Sequence, residues 1–271
     1  MGGGGNDFER LSSVQNLFLG LAAGMACKAI NYPLLHWKNR SQQNLPFIWK
    51  REVVYRGLPM AMINLGVTTA FQFFLTGMFI KTLSAGSVDG VLSKEMEMMS
   101  SFLAGLFSGI LCSMYELTMV QQQKFGGSVA GTPVRIIRDH GVTAMFRGTI
   151  MTMGRESLYT MGMLGGTPII QRMLMENYGV EKSTALAGGS LIGAVCAVVL
   201  THPMDTIKTC MQGDIEQVTY TNISGTMLEI IAKDGVAGMF RALEKRIAQI
   251  ATTFFLVNQL KYFLAPILFP A

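Results

Sequence analysis

Residues 202–212 read HPMDTIKTCMQ, in which a proline is followed by an acid, a base and finally a glutamine at spacings of two, three and four residues. Residues 32–42 (YPLLHWKNRSQ) and 113–123 (SMYELTMVQQQ) align with this stretch without gaps and end in the same glutamine. A second shared element, an aromatic residue followed by Arg and then by Gly or Ala, occurs at 55–57, 146–148 and 240–242. The chain is therefore built from three tandem repeats.

The composition points to a membrane protein. Only 14% of the 271 residues are charged, whereas a soluble domain carries about 25%, and the mean hydropathy is +0.37. Six stretches contain no Asp, Glu, Lys or Arg, and several reach the roughly 17–25 residues that a spanning helix needs; they are 11–27, 57–80, 98–115, 157–171, 183–204 and 247–260. We predict an all-α membrane protein with six transmembrane helices, in repeats at about 11–85, 93–176 and 182–268, after a disordered lead at 1–10.

The basic residues are distributed unevenly between the apolar stretches. Of the 22 Lys and Arg residues, 16 lie in the first, third and fifth regions between these stretches. Positive charge collects on the inner side of membrane proteins, so this pattern predicts that both termini lie on the opposite side. The net charge of +5 therefore reflects topology and not nucleic-acid binding.

Residues 202–212 match the signature Pro-x-[Asp/Glu]-x-x-[Lys/Arg]-x-x-x-Gln, and the chain resembles the mitochondrial carrier family over residues 11–268. The resemblance implies six helices in pseudo-threefold symmetry around a central cavity, with short amphipathic helices on the matrix side. It also implies a place in the inner mitochondrial membrane, termini that face the intermembrane space, and transport of a small solute by alternating access. Membrane lipids are the implied partners, with cardiolipin as a candidate, and neither a cofactor nor a metal is implied.

The resemblance assigns a matrix gate to the three signature stretches. The prolines Pro33 and Pro203 are expected to kink their helices. The acid positions hold Leu35, Glu116 and Asp205, and the base positions hold Lys38, Met119 and Lys208. Each acid is expected to meet a base of another repeat, which gives two ion pairs, Asp205 with Lys38 and Glu116 with Lys208, and one apolar contact. Reversing both charges of one pair is expected to restore more function than reversing either charge alone. The glutamines Gln42, Gln123 and Gln212 resemble the braces that lie beneath such pairs.

Substrate contact points of the family fall on the even-numbered helices. Counted from the aromatic-Arg turns, they are Asn64, Arg155 with Glu156, and Gln249, and we add Lys28 and Arg246 as further cavity residues. An Arg-Glu pair resembles carriers of amino acids, because a guanidinium binds a carboxylate and a carboxylate binds an ammonium. The alternative is that this pair is satisfied within the protein. The neutral residues at the other two points disfavour a nucleotide.

The opposite ends of the even-numbered helices lack the family's second gate. Residues 76–80, 167–171 and 260–264 contain no acid, and Lys261 stands where an acid is usual. Two hypotheses follow: a transporter of an amino acid or related carboxylate, or a carrier-fold protein that serves as a structural subunit of an inner-membrane complex, for example a respiratory complex. No nucleophile elbow, phosphate loop or dinucleotide fingerprint suggests an enzyme.

Overall fold

A computed structural model describes residues 12–84 and 94–269, and this part of the chain is helical with no β-strand. The α-helices are α1 (Ser13–Gln42), α2 (Arg51–Val54), α3 (Leu58–Ser84), α4 (Lys94–Phe125), α5 (Gly131–His140), α6 (Thr149–Thr160), α7 (Thr167–Tyr178), α8 (Lys182–Gly213), α9 (Ile223–Asp234) and α10 (Leu243–Leu268). The predicted lead at 1–10 and the junction of the first two repeats lie outside the described residues.

Six long helical segments form a closed ring. Helices α6 and α7 are joined by a π-helical turn, Met161–Gly166, and together make one segment. Each segment packs against its neighbours along the chain, and α10 packs against α1 to complete the ring. The ring places side chains from all three repeats around one central space.

Four helical stretches are long and apolar enough to cross a membrane. They are Phe18–Gln42, Arg51–Leu83, Met98–Phe125 and Lys182–Gly213. The segment α6–α7 and helix α10 do not meet this measure, and both carry charged pairs near their beginnings, Arg155 with Glu156 and Lys245 with Arg246. An all-α membrane fold agrees with these findings, whereas six membrane spans stay a prediction.

Glycines allow close helix contact in two of the three repeats. A Cβ on Gly105 would lie 2.5 Å from the carbonyl oxygen of Glu156, and one on Gly193 would lie 2.5 Å from Thr167 Oγ1. Small residues permit such backbone approach in lipid. The pair Gly20 and Gly24 departs from this pattern, because nothing lies within 4 Å of a Cβ at either position.

Prolines occur inside four of the long segments without ending them. Helix α1 continues through Pro33, α8 through Pro203 and α10 through Pro266. Pro168 follows the π-helical turn, in which Thr167 Oγ1 donates a hydrogen bond to the Gly162 carbonyl at 3.3 Å. A proline ring clashes with the carbonyl four residues earlier, and a wider turn is one way in which a helix accommodates it.

The expected amphipathic loop helix is present in two repeats and missing from the first. Helices α5 and α9 occupy the second and third connections, but the first holds only α2, which has 4 residues. The prediction is wrong here because the connection, residues 43–57, is shorter than 126–148 and 214–242. Edge-to-face and tilted aromatic contacts occur in this connection instead: the Phe47 ring centroid lies 4.6 Å from that of Trp49 and 5.7 Å from that of Trp37.

The aromatic-Arg turns share one backbone conformation. Their third residues, Gly57, Gly148 and Ala242, have φ angles of +84°, +79° and +65°. This left-handed region favours glycine and strains alanine. Ala242 is therefore a third copy of the same turn, although its side chain obscures the repeat in the sequence.

Candidate functional site

Buried charges link the three repeats at the end of the ring where α1, α4 and α8 end, here called the ion-pair end. Lys38 Nζ of α1 lies 2.7 Å from Asp205 Oδ2 of α8, and Lys208 Nζ of α8 lies 2.9 Å from Glu116 Oε2 of α4. All four residues are buried. The two pairs that the family resemblance implies are thus in contact.

Asp205 is the centre of a cluster and not one half of a pair. Besides Lys38, its carboxylate has Lys208 Nζ at 3.2 Å, Arg246 Nη1 at 3.5 Å and Arg155 Nε at 3.8 Å. Buried charges are tolerated when other charges and hydrogen bonds compensate them. This carboxylate holds cations from α1, α6, α8 and α10 together.

An apolar contact takes the place of a third ion pair. Leu35 of α1 and Met119 of α4 belong to one buried cluster with Tyr32, Met60 and Ala61. Because neither position carries a charge, no cation or carboxylate is left uncompensated at this point of the ring.

A cavity of about 280 Å³ begins at the ion cluster. Its lining includes all six predicted contact residues, namely Lys28, Asn64, Arg155, Glu156, Arg246 and Gln249. Lys38, Glu116 and Asp205 line it as well, so the cluster and the cavity share a wall. These side chains come from α1, α3, α4, α6, α8 and α10, and only the closed ring brings them together.

Arg155 connects the cavity to the ion cluster. Its Nη2 lies 2.6 Å from Glu156 Oε1 and 2.9 Å from Glu116 Oε2. Glu156 Oε2 also accepts a hydrogen bond of 2.8 Å from Gln72 Nε2. The alternative reading, that Arg155 and Glu156 satisfy each other, describes their contacts in this structure.

Comparison with known proteins finds similarity to mitochondrial carriers. A family profile for mitochondrial carrier proteins matches residues 181–266. A mitochondrial substrate carrier family protein of Dictyostelium discoideum is 34% identical, over 43% of this chain and 40% of its own length. Mitochondrial citrate transporter A of Aspergillus niger is 23% identical over 88% of this chain and 86% of its own length. The mitochondrial glycine transporter of Kluyveromyces lactis is 23% identical, over 89% and 92%.

The chain is similar to mitochondrial carriers over most of its length. The profile matches the repeat with the complete signature, and the alignments that cover 88–89% of the chain extend into the two less regular repeats.

The three glutamines of the signature stretches have different partners. Gln42 Nε2 donates to Asp205 Oδ2 at 3.0 Å and so braces an ion pair, as expected. Gln123 instead donates to Tyr32 Oη at 3.0 Å, and Gln212 donates to the Ser113 carbonyl at 3.2 Å. The expectation of three equivalent braces is wrong for these two; at Gln123 the reason is that the ion pair it would brace has been replaced by Leu35 and Met119.

The motif positions at the far ends of α3, α7 and α10 take part in no ion pair among the described residues. The segments 76–80, 167–171 and 260–264 offer no carboxylate, and Lys261 has no ion pair in the described part of the chain. Gln171 is turned towards α8, where it donates to Ser190 Oγ at 2.9 Å and to the Leu186 carbonyl at 3.1 Å. The two ends of the ring thus differ in charge content.

The loop after α8 is held by an arginine and a carboxylate. Arg147 Nε donates to the carbonyls of Met211 at 2.6 Å and Asp214 at 3.0 Å. The Asp214 carboxylate accepts from the backbone N–H groups of Thr219 at 2.7 Å and Tyr220 at 2.8 Å. Burial acts to raise the pKa of Asp214, but these hydrogen bonds outweigh it and hold the pKa below its ordinary value of 3.8.

Sequence reasoning missed Gln72, which contacts Glu156 directly. It follows Asn64 and Thr68 at intervals of four residues, so the three form a polar stripe on one face of α3. Thr68 Oγ1 donates to Asn64 Oδ1 at 2.8 Å. The four-residue spacing of these polar residues could have identified Gln72 from the sequence.

No group of three or more His, Cys, Asp or Glu residues that could hold a metal occurs among the residues described.

Proposed function

We propose that this protein is a carrier of the inner mitochondrial membrane that moves a small carboxylate-bearing solute, an amino acid or a related carboxylic acid, by alternating access. In this proposal six helices span the membrane, both termini face the intermembrane space, and the ion cluster is the matrix gate. The relatives named for citrate and glycine transport support a solute that carries a carboxylate.

The position of the ion cluster carries the proposal. Lys38, Glu116 and Asp205 belong to the cluster and also line the cavity. A solute that enters from the far end would therefore meet the groups that hold the ion-pair end closed. Because desolvation offsets much of the attraction within buried ion pairs, such a closure can open at a modest cost in free energy.

Arg155 is the residue through which we expect binding to act on the gate. It contacts a cavity carboxylate, Glu156, and a gate carboxylate, Glu116. A solute carboxylate that took up one side of the guanidinium would compete with these contacts. Binding energy would then weaken the cluster, which is how a ligand shifts the balance between two states.

Counter-exchange by the purified full-length chain in liposomes tests the proposal. Labelled carboxylates and amino acids should exchange, Arg155→Ala should abolish exchange, and Glu156→Gln should impair ammonium-bearing solutes selectively. Arg172→Ala, at an exposed position on α7, is the matched control and should leave the rate unchanged. Normal exchange by both cavity variants would contradict the assignment of the site.

A structural subunit of a larger complex is the second candidate function, and the far ends of α3, α7 and α10 favour it. These ends supply no carboxylate for a second gate, and a dry ring closed around Lys261 would cost several kcal/mol of lost hydration. Native size after gentle solubilisation separates the candidates. A free carrier migrates as a single chain of 29.6 kDa with detergent, whereas a subunit migrates with its complex and exchanges nothing.

A further inference from the structure

The cavity and its ion cluster carry an excess of positive charge. The charged side chains that line the cavity or join it through the cluster are Lys28, Lys38, Arg155, Lys208 and Arg246 on one side, and Glu116, Glu156 and Asp205 on the other. Five cations against three carboxylates leave a formal excess of two positive charges. A solute with two negative charges would neutralise it.

All three carboxylates already have partners within the protein. Glu116 holds Arg155 and Lys208, and Asp205 holds Lys38 and three further cations. Glu156 is occupied by Arg155 and by the Gln72 amide. An ammonium group would have to displace one of these partners, so the cavity offers no ready site for the cationic end of an amino acid.

Several donors, by contrast, make no hydrogen bond. Lys28 makes no ion pair or hydrogen bond with any described residue, although its side chain lines the cavity. Arg155 Nε and Arg246 Nη1 are buried without a hydrogen-bond partner among the described residues; the Asp205 carboxylate lies 3.8 Å and 3.5 Å from them, and they share it with two lysines. These donors lie on α1, α6 and α10, on different sides of the cavity. Unpaired buried donors favour a ligand rich in oxygen acceptors.

We infer that the cavity selects short dicarboxylates over zwitterionic amino acids, with Lys28 binding one carboxylate and the guanidinium groups of Arg155 and Arg246 the other. The inference rests on the proposed function and narrows its substrate class. A cavity of about 280 Å³ has room for about nine groups of water size, at about 30 Å³ each. That volume suits a compact four- to five-carbon diacid.

Succinate and β-alanine provide the matched test, because they differ only in the replacement of one carboxylate by an ammonium. The full-length chain is reconstituted in liposomes loaded with unlabelled solute, and the initial exchange of each labelled solute is measured below saturation. We expect succinate to exceed β-alanine by about 10- to 100-fold, the factor that one charge-assisted contact provides. Exchange of β-alanine at an equal or higher rate would overturn the inference while leaving the proposed transport function intact.

Variants of Lys28 test its assignment. Lys28→Gln should reduce succinate exchange by about tenfold or more and bring the two solutes closer together, whereas Lys28→Arg should retain the preference. Lys182→Gln, at the exposed beginning of α8, is the control and should behave as the wild type. Thermal unfolding verifies that each variant is folded. Wild-type selectivity in Lys28→Gln would refute the role of Lys28, and a folded protein that exchanges neither solute would refute the proposed function and the inference together.

Discussion

Exchanging the charges of Lys38 and Asp205 distinguishes a cluster from a simple ion pair. An isolated pair should recover when both charges are reversed, as the motif alone led us to expect. In the structure, however, Asp205 also lies 3.2 Å from Lys208 and 3.5 Å from Arg246. We therefore expect the double variant Lys38→Asp/Asp205→Lys to be no more stable than Asp205→Asn.

The magnitudes follow from the contacts. Removing one member of a buried ion pair costs about 3–5 kcal/mol, because its partner is left uncompensated. The entropy of unfolding, about 2.1 cal/mol/K per residue, comes to about 0.6 kcal/mol/K for this chain, so Asp205→Asn should lower the unfolding temperature by roughly 5–9 °C. In the double variant one attraction survives, but the contacts of position 205 with Lys208, Arg246 and Arg155 become repulsive. Each is worth about 4 kcal/mol at a separation near 4 Å and an effective dielectric constant of 20.

Thermal unfolding of the purified variants in detergent provides the measurement. The control is the same exchange at Glu229 and Lys233, which lie 2.8 Å apart at i and i+4 on α9 with side chains 37% and 50% exposed. Such pairs contribute about 0.3–0.5 kcal/mol, so this reversal should shift the unfolding temperature by about 1 °C or less. If the Lys38/Asp205 reversal instead regains most of the wild-type unfolding temperature, the cluster reasoning is wrong and the two residues act as an isolated pair.

Three further predictions use the same unfolding assay. Ala242→Gly should be neutral or stabilise the fold by up to about 1 kcal/mol, because it relieves a φ of +65° but makes the unfolded chain more flexible. Gly57→Ala should destabilise the fold, since its Cβ would lie 2.8 Å from a tyrosine hydroxyl. Equal effects of the two variants would argue against strain at these turns. Gly105→Ala should cost about 1–3 kcal/mol through overpacking, and Gly20→Ala, with nothing within 4 Å, should be neutral or gain up to about 1 kcal/mol from helix propensity; the reverse order would contradict the packing. The pKa of Asp214 is lower in the folded state, so its ionised carboxylate stabilises the fold above the unfolded pKa of 3.8, and this contribution is lost as the pH falls through the folded pKa. Between pH 6 and pH 3 the wild type should therefore lose more stability than Asp214→Asn. Parallel plots of unfolding temperature against pH for the two proteins would rule out this contribution.

The sequence by itself reached most of the architecture, because the decisive information is local and repeated. The register Pro-x-acid-x-x-base fixes which side chains share a helix face, since residues three and four apart are neighbours on a helix. The resemblance of these repeats to the carrier signature then implied the contact of Lys38 with Asp205 and the shared cavity of Asn64 and Gln249. Local pattern was less informative in the connections. The first loop was expected to hold an amphipathic helix comparable to α5 and α9, but it is shorter and holds only the 4-residue α2, preceded by the aromatic residues Phe47 and Trp49.

The tertiary structure decided how the charges are shared. The spacing of residues within one helix could not reveal the contacts between helices. Arg155 of α6 pairs with Glu116 of α4, and Arg246 of α10 pairs with Asp205 of α8. Gln72 of α3 donates a hydrogen bond to Glu156. Long side chains choose among several partners within a few ångströms, and that choice depends on how helices distant in sequence lie against one another. The sequence therefore determined which charges surround the cavity, and only the packing of the ring determined that the three cavity carboxylates are paired while Lys28 has no ion-pair partner among the described residues.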